Sequence, residues 1–115
     1  LSALHDVPHG VACAMLLPTV MRWNAPAALD KYVDIAKALE VYRDGMTREE
    51  AADAACAEIE NLSRRVGIPA HLSEIGIIEK DIDALADQAI VDVCTPGNPR
   101  PVTREDIVAL YKQIL

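Results

Sequence analysis

The sequence predicts an all-α fold, a helical bundle of five to six helices. Apolar residues recur at spacings of three and four along each long segment, and none of these segments alternates between apolar and polar residues as a strand does. The hydrophobic fraction of 51% consists mostly of Ala, Val, Ile and Leu, with no Phe, which favours closely packed helices. The 115 residues are the length of one domain, so we assign residues 1–115 to a single unit.

The first helix is predicted to begin near residue 8. Asp6 is a suitable capping residue, and Pro8 and His9 fit the opening turn, where the missing N–H of a proline costs nothing. Pro18 removes a backbone hydrogen bond and is expected to kink or interrupt the helix. The segment then resumes and ends at Asn24.

Two amphipathic helices are predicted next. The second begins at Pro26 and ends before Asp44, and its apolar stripe consists of Leu29, Tyr32, Val33, Ala36 and Leu39. Thr47 and Glu50 have the spacing of a capping box, which opens a third helix that closes at Gly67. The apolar face of this third helix consists of Ala52, Ala55, Ile59, Leu62 and Val66.

The last part of the chain is predicted to hold two more helices. An irregular stretch with one short turn at residues 72–75 precedes the fourth helix, which is expected to run to Cys94. Its apolar face consists of Ile78, Ile82, Leu85, Ala89 and Val93. After a loop rich in proline and glycine, Thr103 caps the last helix. The buried stripe of that helix consists of Ile107, Leu110, Tyr111 and Ile114.

Charge and cysteine content narrow the classes of function. Eleven basic residues against 18 acidic ones give a net charge of −7, which argues against nucleic acid as a partner because no basic stripe faces phosphates. The longest apolar run covers only residues 11–17, whereas a membrane span needs about 20 residues. The three cysteines form no CxxC pair and are expected to be free thiols. We therefore expect a soluble, cytoplasmic protein without a membrane partner.

Three histidines are the first candidates for chemistry. His5 and His9 are four residues apart, but Pro8 disfavours the helical conformation before it, so His5 is expected in the preceding loop and the pair does not form a helical metal site. From the residues alone, His9 is either a partner for the backbone or a metal ligand. His71 follows Pro69 and is expected to be structural or solvated.

Asp92 and Cys94 form a second candidate region. Asp92 lies among apolar residues, so it either faces a pocket or is solvated in a last helical turn. The C-terminus of a helix does not activate a thiol as a nucleophile, so a role in lining a pocket or the core fits Cys94 better. The residues alone support only a soluble, acidic helical domain.

The segment at residues 8–18, PHGVACAMLLP, resembles the P-H-G-x-x-N-A-x-L-L-P segment of the iron-containing (group III) alcohol dehydrogenases. Residues 66–69, VGIP, resemble a further motif of that family. Residues 92–107 resemble its D-x-C-x-x-x-N-P-R-x-x-T-x-E-D-I ending. Within the family, the likeness is greatest to the branch of the lactaldehyde reductases and propanediol dehydrogenases.

The resemblance implies a two-domain enzyme with an α/β domain for NAD(P) followed by an all-α domain, here residues 1–115. In the family, one Asp and three His hold Fe²⁺, or Zn²⁺ in some members, and hydride passes between the cofactor and a small alcohol or aldehyde substrate. His9 matches the last of these metal ligands. Cys94 is similar to a residue on the substrate side of the cleft. Cys13 stands where the family commonly has Asn.

The resemblance also places the other three metal ligands and the cofactor domain before Leu1. The chain is therefore interpreted as a fragment that lacks its N-terminal nucleotide-binding domain and, alone, neither retains the metal nor transfers hydride. An uncovered apolar wall predicts self-association, and a homo-oligomer is expected. The alternative is a free-standing helical module with a non-catalytic role in protein interaction.

Overall fold

The computed structural model describes residue 1 and residues 5–115, and all of its regular structure is helical. Within these described residues, we number five α-helices α1 to α5, and they span His9–Asn24, Leu29–Ala38, Arg48–Arg65, Ile82–Ile90 and Arg104–Gln113. Short 3-10 turns at Ala25–Ala27, Leu72–Ile75, Glu79–Asp81 and Thr95–Gly97 lie between them. The described residues contain no strand, which confirms the predicted all-α bundle. No helix in this part of the chain is both long and apolar enough to cross a membrane.

Helix α1 differs from its prediction at Asp6, and it excludes one of the two outcomes predicted for Pro18. Asp6 does not cap it: Asp6 has a φ of 52°, and the capping position belongs to Pro8, which has an extended backbone. Pro18 lies inside a continuous helix and so does not interrupt it, whereas the kink that was predicted as the other outcome stays a prediction. Met15 and Met21, on either side of Pro18, are both buried, so tertiary packing offsets the lost hydrogen bond.

Helices α2 and α3 pack against each other through small residues, and we call them the scaffold pair. Ala36 of α2 and Ala51 and Ala55 of α3 are completely buried and form one cluster. Alanines at a contact allow two helix axes to approach closely. Helix α2 is shorter than predicted: it ends at Ala38, and Glu40 then adopts a φ of 62°, which no helix continues through.

The predicted capping box at the start of α3 is confirmed. The Glu50 N–H donates to the Thr47 hydroxyl at 3.1 Å, and the Glu50 carboxylate accepts from the Thr47 N–H at 3.5 Å. The predicted apolar face is buried only in its first half, because Leu62 and Val66 are exposed. With 18 residues against the 10 of α2, α3 extends beyond its partner helix, and these two side chains lie past the end of the contact.

The segment before α4 contains the largest difference in register. Helix α4 begins at Ile82 and ends at Ile90, whereas the prediction ran from Ile78 to Cys94. Ile77, not Ile78, is fully buried, because Gly76 with a φ of +86° and a short turn reset the chain before α4. The Asp81 carboxylate accepts a hydrogen bond from the Ile78 N–H at 3.0 Å, which stabilises the turn between Ile78 and the start of α4.

The main core lies between α1, α4 and α5. It is built from Met15, Leu72, Ile77, Ile82, Leu85, Ala86, Ile107, Tyr111 and Ile114. The predicted cap of α5 is present, with the Asp106 N–H donating to the Thr103 hydroxyl at 3.2 Å. The Leu72 N–H donates to the Ile114 carbonyl at 2.7 Å, which joins the turn at residue 72 to the end of the chain. This core fixes one face of α1 and leaves its first turn at the surface.

Candidate functional site

His9 is the first residue of α1, and its position follows from the proline before it. Pro8 has φ −52° and ψ 133°, an extended conformation that turns into the helix at the next residue. The His9 side chain is exposed, so it is not packed among aliphatic neighbours. The described residues give the ring one polar neighbour, the Cys13 sulfur, which lies 3.5 Å from Nε2. An exposed imidazole in a first helical turn is available to a ligand.

His9 lines a cavity of about 330 Å³, which we call the histidine cavity. Its walls come from the first two turns of α1, from α4 and from Tyr111 of α5. Gln88 and Asp92 also line it, so its walls carry polar side chains besides His9. Asp92 lines this cavity, as the first of the two predicted alternatives had it. It is also exposed, but it lies beyond the end of α4 and not in a helical turn.

Cys94 lines a second, larger cavity of about 460 Å³. Three residues, Leu16, Ala89 and Tyr111, line both cavities, so the two adjoin along one face of the molecule. The larger cavity is mainly apolar, with Trp23 and Leu110 among its walls. Burial raises the pKa of the Tyr111 phenol above its ordinary value, so this group stays neutral. A volume of this size is typical of small-molecule sites.

Residues 91–100, which we call the rim segment, carry Cys94. The Cys94 N–H donates to the Asp92 carboxylate at 2.8 Å, and the Thr95 hydroxyl donates to the Ala89 carbonyl at 2.6 Å. Cys94 was predicted to be the last residue of a helix. Because α4 ends at Ile90, Cys94 belongs instead to this irregular segment. Val93 is 92% exposed, which also corrects its predicted place on the buried face.

Two polar contacts join the rim segment to the end of α1. The side-chain amides of Asn24 and Asn98 exchange two hydrogen bonds of 2.8 Å, and Asn24 is buried. The Arg100 guanidinium donates to the Trp23 carbonyl at 2.7 Å and lies 4.0 Å from the centre of the Trp23 ring. These contacts join the segment that carries Cys94 to α1, beside the larger cavity that Cys94 and Trp23 both line. Periodicity did not predict them, because they pair residues more than 70 positions apart.

The other histidines take no part in either cavity wall. Residues 6–8 are not helical, so His5 and His9 do not share a helical face, as predicted, although His5 itself is helical and not in a loop. His71 is exposed, and its backbone N–H donates to the Glu74 carboxylate at 2.8 Å. His71 therefore stabilises a turn, which agrees with its predicted structural or solvated role.

The donor set fits a metal only in part. Residue 1 and residues 5–115 contain no group of three or more His, Cys, Asp or Glu side chains placed to hold an ion. An exposed imidazole on a cavity wall does suit a single ligand position, since neutral imidazole binds iron and zinc. His9 thus fits a shared site whose other ligands come from elsewhere.

The Fe-containing alcohol dehydrogenase family, C-terminal, is the family model that matches this chain, over residues 1–115. Lactaldehyde reductase of Escherichia coli (strain K12) is 53% identical over 111 residues, which are 96% of this chain and 29% of that protein. The 1,3-propanediol dehydrogenase of Klebsiella pneumoniae is 40% identical over 113 residues, which are 98% of this chain and 29% of that protein.

Solved structures agree with the sequence relatives. The structure of a 1,3-propanediol oxidoreductase superposes with a TM-score of 0.97 at 39% identity, covering 100% of this chain and 30% of that one. An alcohol dehydrogenase from Oenococcus oeni gives a TM-score of 0.94 at 33% identity, over 99% and 30% of the two chains. The chain spans about three tenths of the length of the relatives it matches. It belongs to the iron-containing alcohol dehydrogenase family and corresponds to the C-terminal, all-helical domain of these enzymes.

Proposed function

We propose that residues 1–115 form the metal- and substrate-binding domain of a longer NAD(P)-dependent alcohol dehydrogenase, which interconverts small alcohols and aldehydes by hydride transfer. The observation that carries this proposal is the exposed His9 imidazole on a cavity wall that adjoins a larger apolar cavity. The similarity to lactaldehyde reductase and 1,3-propanediol dehydrogenase supports small alcohols as the substrate class. The nucleotide-binding domain and three further metal ligands are proposed to precede Leu1.

His9 is proposed to be one of four ligands of a divalent ion, Fe²⁺ or Zn²⁺. Its position at the start of α1 fixes the ring at the mouth of the histidine cavity, where a second domain can supply the remaining ligands. When bound, the ion supplies Lewis-acid polarisation of the alcohol oxygen, and NAD(P) supplies the hydride acceptor or donor. With one ligand of its own, this chain alone is expected to hold the ion only weakly.

The larger cavity is proposed to receive the carbon chain of the substrate. Its walls are mainly apolar and include Trp23 and Leu110, and its volume of about 460 Å³ is in the range of small-molecule sites. Cys94 is proposed as a substrate contact, because the rim segment places it at the wall of this cavity and outside any helix. The thiol is a contact there and takes no chemical step.

The rim segment is proposed to face the second domain. Val91 is 78% exposed and Val93 is 92% exposed, and in sequence they flank Asp92, which lines the histidine cavity. Exposed valines next to a ligand cavity are typical of a surface that another protein domain covers. Self-association through the same surface is expected when that domain is absent, and a homo-oligomer remains part of the proposal.

The test is elemental analysis together with a dehydrogenase assay on the longer protein. His9→Ala is expected to lower both bound metal and activity at least about tenfold, because a ligand is lost. His71→Ala is the matched control, since it removes an exposed histidine in a turn, and it should retain both. Unchanged metal content in His9→Ala would contradict the proposed site.

A further inference from the structure

Trp23 lies in the last turn of α1 and is contacted by Arg100 from the rim segment. The Arg100 guanidinium lies 4.0 Å from the centre of the indole ring and donates to the Trp23 carbonyl at 2.7 Å. A cation is favoured both beside the last carbonyls of a helix and over the face of an indole. One side chain therefore contacts the backbone and the ring of the same residue.

A second set of contacts fixes the arginine. The Asn98 amide donates to the Arg100 carbonyl at 2.6 Å and to the Asn24 amide oxygen at 2.8 Å. Asn24 is buried and directly follows Trp23 in the chain. These four residues form one network, which we call the indole clamp. The backbone of Trp23 and one face of its ring are thus fixed by residues that are distant in sequence.

The ring in the indole clamp belongs to a residue on the wall of the larger cavity. Trp23 has the largest side chain of the residues that line this cavity, so its truncation adds more space there than the truncation of any other. Within the described part of the chain, Arg100 contacts the ring but does not line the cavity. Arg100 can therefore affect a bound molecule through the position of the indole.

We propose that Trp23 determines the length of the alcohol that the larger cavity accepts, and that Arg100 is the positioning residue that holds the indole. The ligand class is the short primary alcohols and the matching aldehydes, whose carbon chain ends at the ring. In an apolar pocket, one methylene group changes kcat/KM about tenfold or more. This inference deepens the proposed function and rests on it for the use of the cavity by the substrate.

The first experiment measures kcat/KM of the longer protein for n-hexanol and for n-propanol. A loss of folded enzyme lowers both values equally and cancels in their ratio. Trp23→Ala should raise the ratio at least about tenfold in favour of n-hexanol, and Trp23→Phe, a smaller truncation, should raise it less. Arg100→Ala should raise it about threefold, because the indole is present but no longer held. Arg43→Ala removes an exposed arginine before α3 and is the matched control, with an unchanged ratio.

A double variant tests whether Arg100 acts through the ring. When Trp23 is already alanine, the further change Arg100→Ala should leave the ratio where it is, because no indole remains to be held. An equal effect of Arg100→Ala in both backgrounds would show that the arginine does not act through Trp23.

Fluorescence of the 115-residue chain tests the position of the ring without metal or cofactor. Trp23 is the single tryptophan of the sequence, so all indole emission comes from this residue. Arg100→Ala uncovers one face of the ring, so the emission maximum should move to longer wavelength and acrylamide should quench the emission more strongly. Arg43→Ala should match the unaltered chain, and circular dichroism shows whether each variant keeps its helices. Unchanged emission and quenching in Arg100→Ala would overturn the positioning role.

The proposed function fails separately from this inference. A longer protein that oxidises alcohols but whose hexanol-to-propanol ratio is unchanged in Trp23→Ala would leave the dehydrogenase proposal standing and remove Trp23 as the specificity-determining residue. A longer protein without dehydrogenase activity would instead overturn the proposed function, and the role of Trp23 in substrate selection with it.

Discussion

The scaffold pair and the rim segment differ in how much of their surface is buried by contacts within the chain. In the scaffold pair, Ala36 and Ala55 are completely buried, and the capping box at Thr47 satisfies the start of α3. In the rim segment, Val93 is almost fully exposed and Cys94 lies open at a cavity. The chain covers the first region by its own packing, whereas the second presents groups that we propose contact a ligand or another domain.

The largest effect is expected where the scaffold pair is tightest. Ala55→Leu adds three carbons to a position with no exposed surface, so it should lower the free energy of unfolding by about 3 kcal/mol. Chemical denaturation measures this change. Ala38→Leu, an exposed position on α2, is the control and should shift stability by no more than about 0.5 kcal/mol. Equal effects of the two substitutions would show that the helix contact is not closely packed.

A smaller effect is expected where the rim segment meets α1. Asn98→Ala leaves the buried amide of Asn24 without its partner, which should cost about 2 kcal/mol. Hydrogen exchange should also become faster for the amides of residues 94–100 than for those of α3. Asn61→Ala, at an exposed position of α3, is the control. Unchanged exchange in the rim segment would mean that the amide pair does not position Cys94.

The smallest effect on stability is expected at the exposed end of the rim segment. Val93→Ser should change the free energy of unfolding by no more than about 0.5 kcal/mol, because the side chain contacts little. Light scattering across a concentration series should nevertheless show weaker self-association. Val66→Ser, an exposed valine at the end of α3, should leave association unchanged. A chain that is monomeric at all concentrations would contradict the proposal that the rim segment is an uncovered surface through which the chain self-associates.

The same contrast explains how much the sequence predicts. Predictions were confirmed where the structure depends on residues close in sequence. Thr47 and Thr103 both cap their helices, and the short turn at Leu72–Ile75 is present. Local signals predicted less well where the structure depends on tertiary packing. Pro18 is tolerated inside α1, and the core includes Ile77 in place of Ile78 because a glycine turn changes the register.

The candidate site was predicted through motifs and not through periodicity. The resemblance at residues 8–18 led to His9, and the structure places that residue at a cavity. The Asn24–Asn98 pair and the stacking of Arg100 on Trp23 could not be predicted from spacing, since the fold alone brings these residues together. The contact between Cys13 and His9 does have a local signal in the sequence, a spacing of four within one helix.

The central claim is that His9 is a metal ligand on the wall that this chain contributes to an active-site cleft. Anomalous diffraction from crystals of the longer protein, collected at the absorption edge of the bound metal, tests this most directly. The account predicts an anomalous peak about 2.1 Å from a ring nitrogen of His9. A metal peak held entirely by other residues, with the His9 ring in solvent, would contradict it.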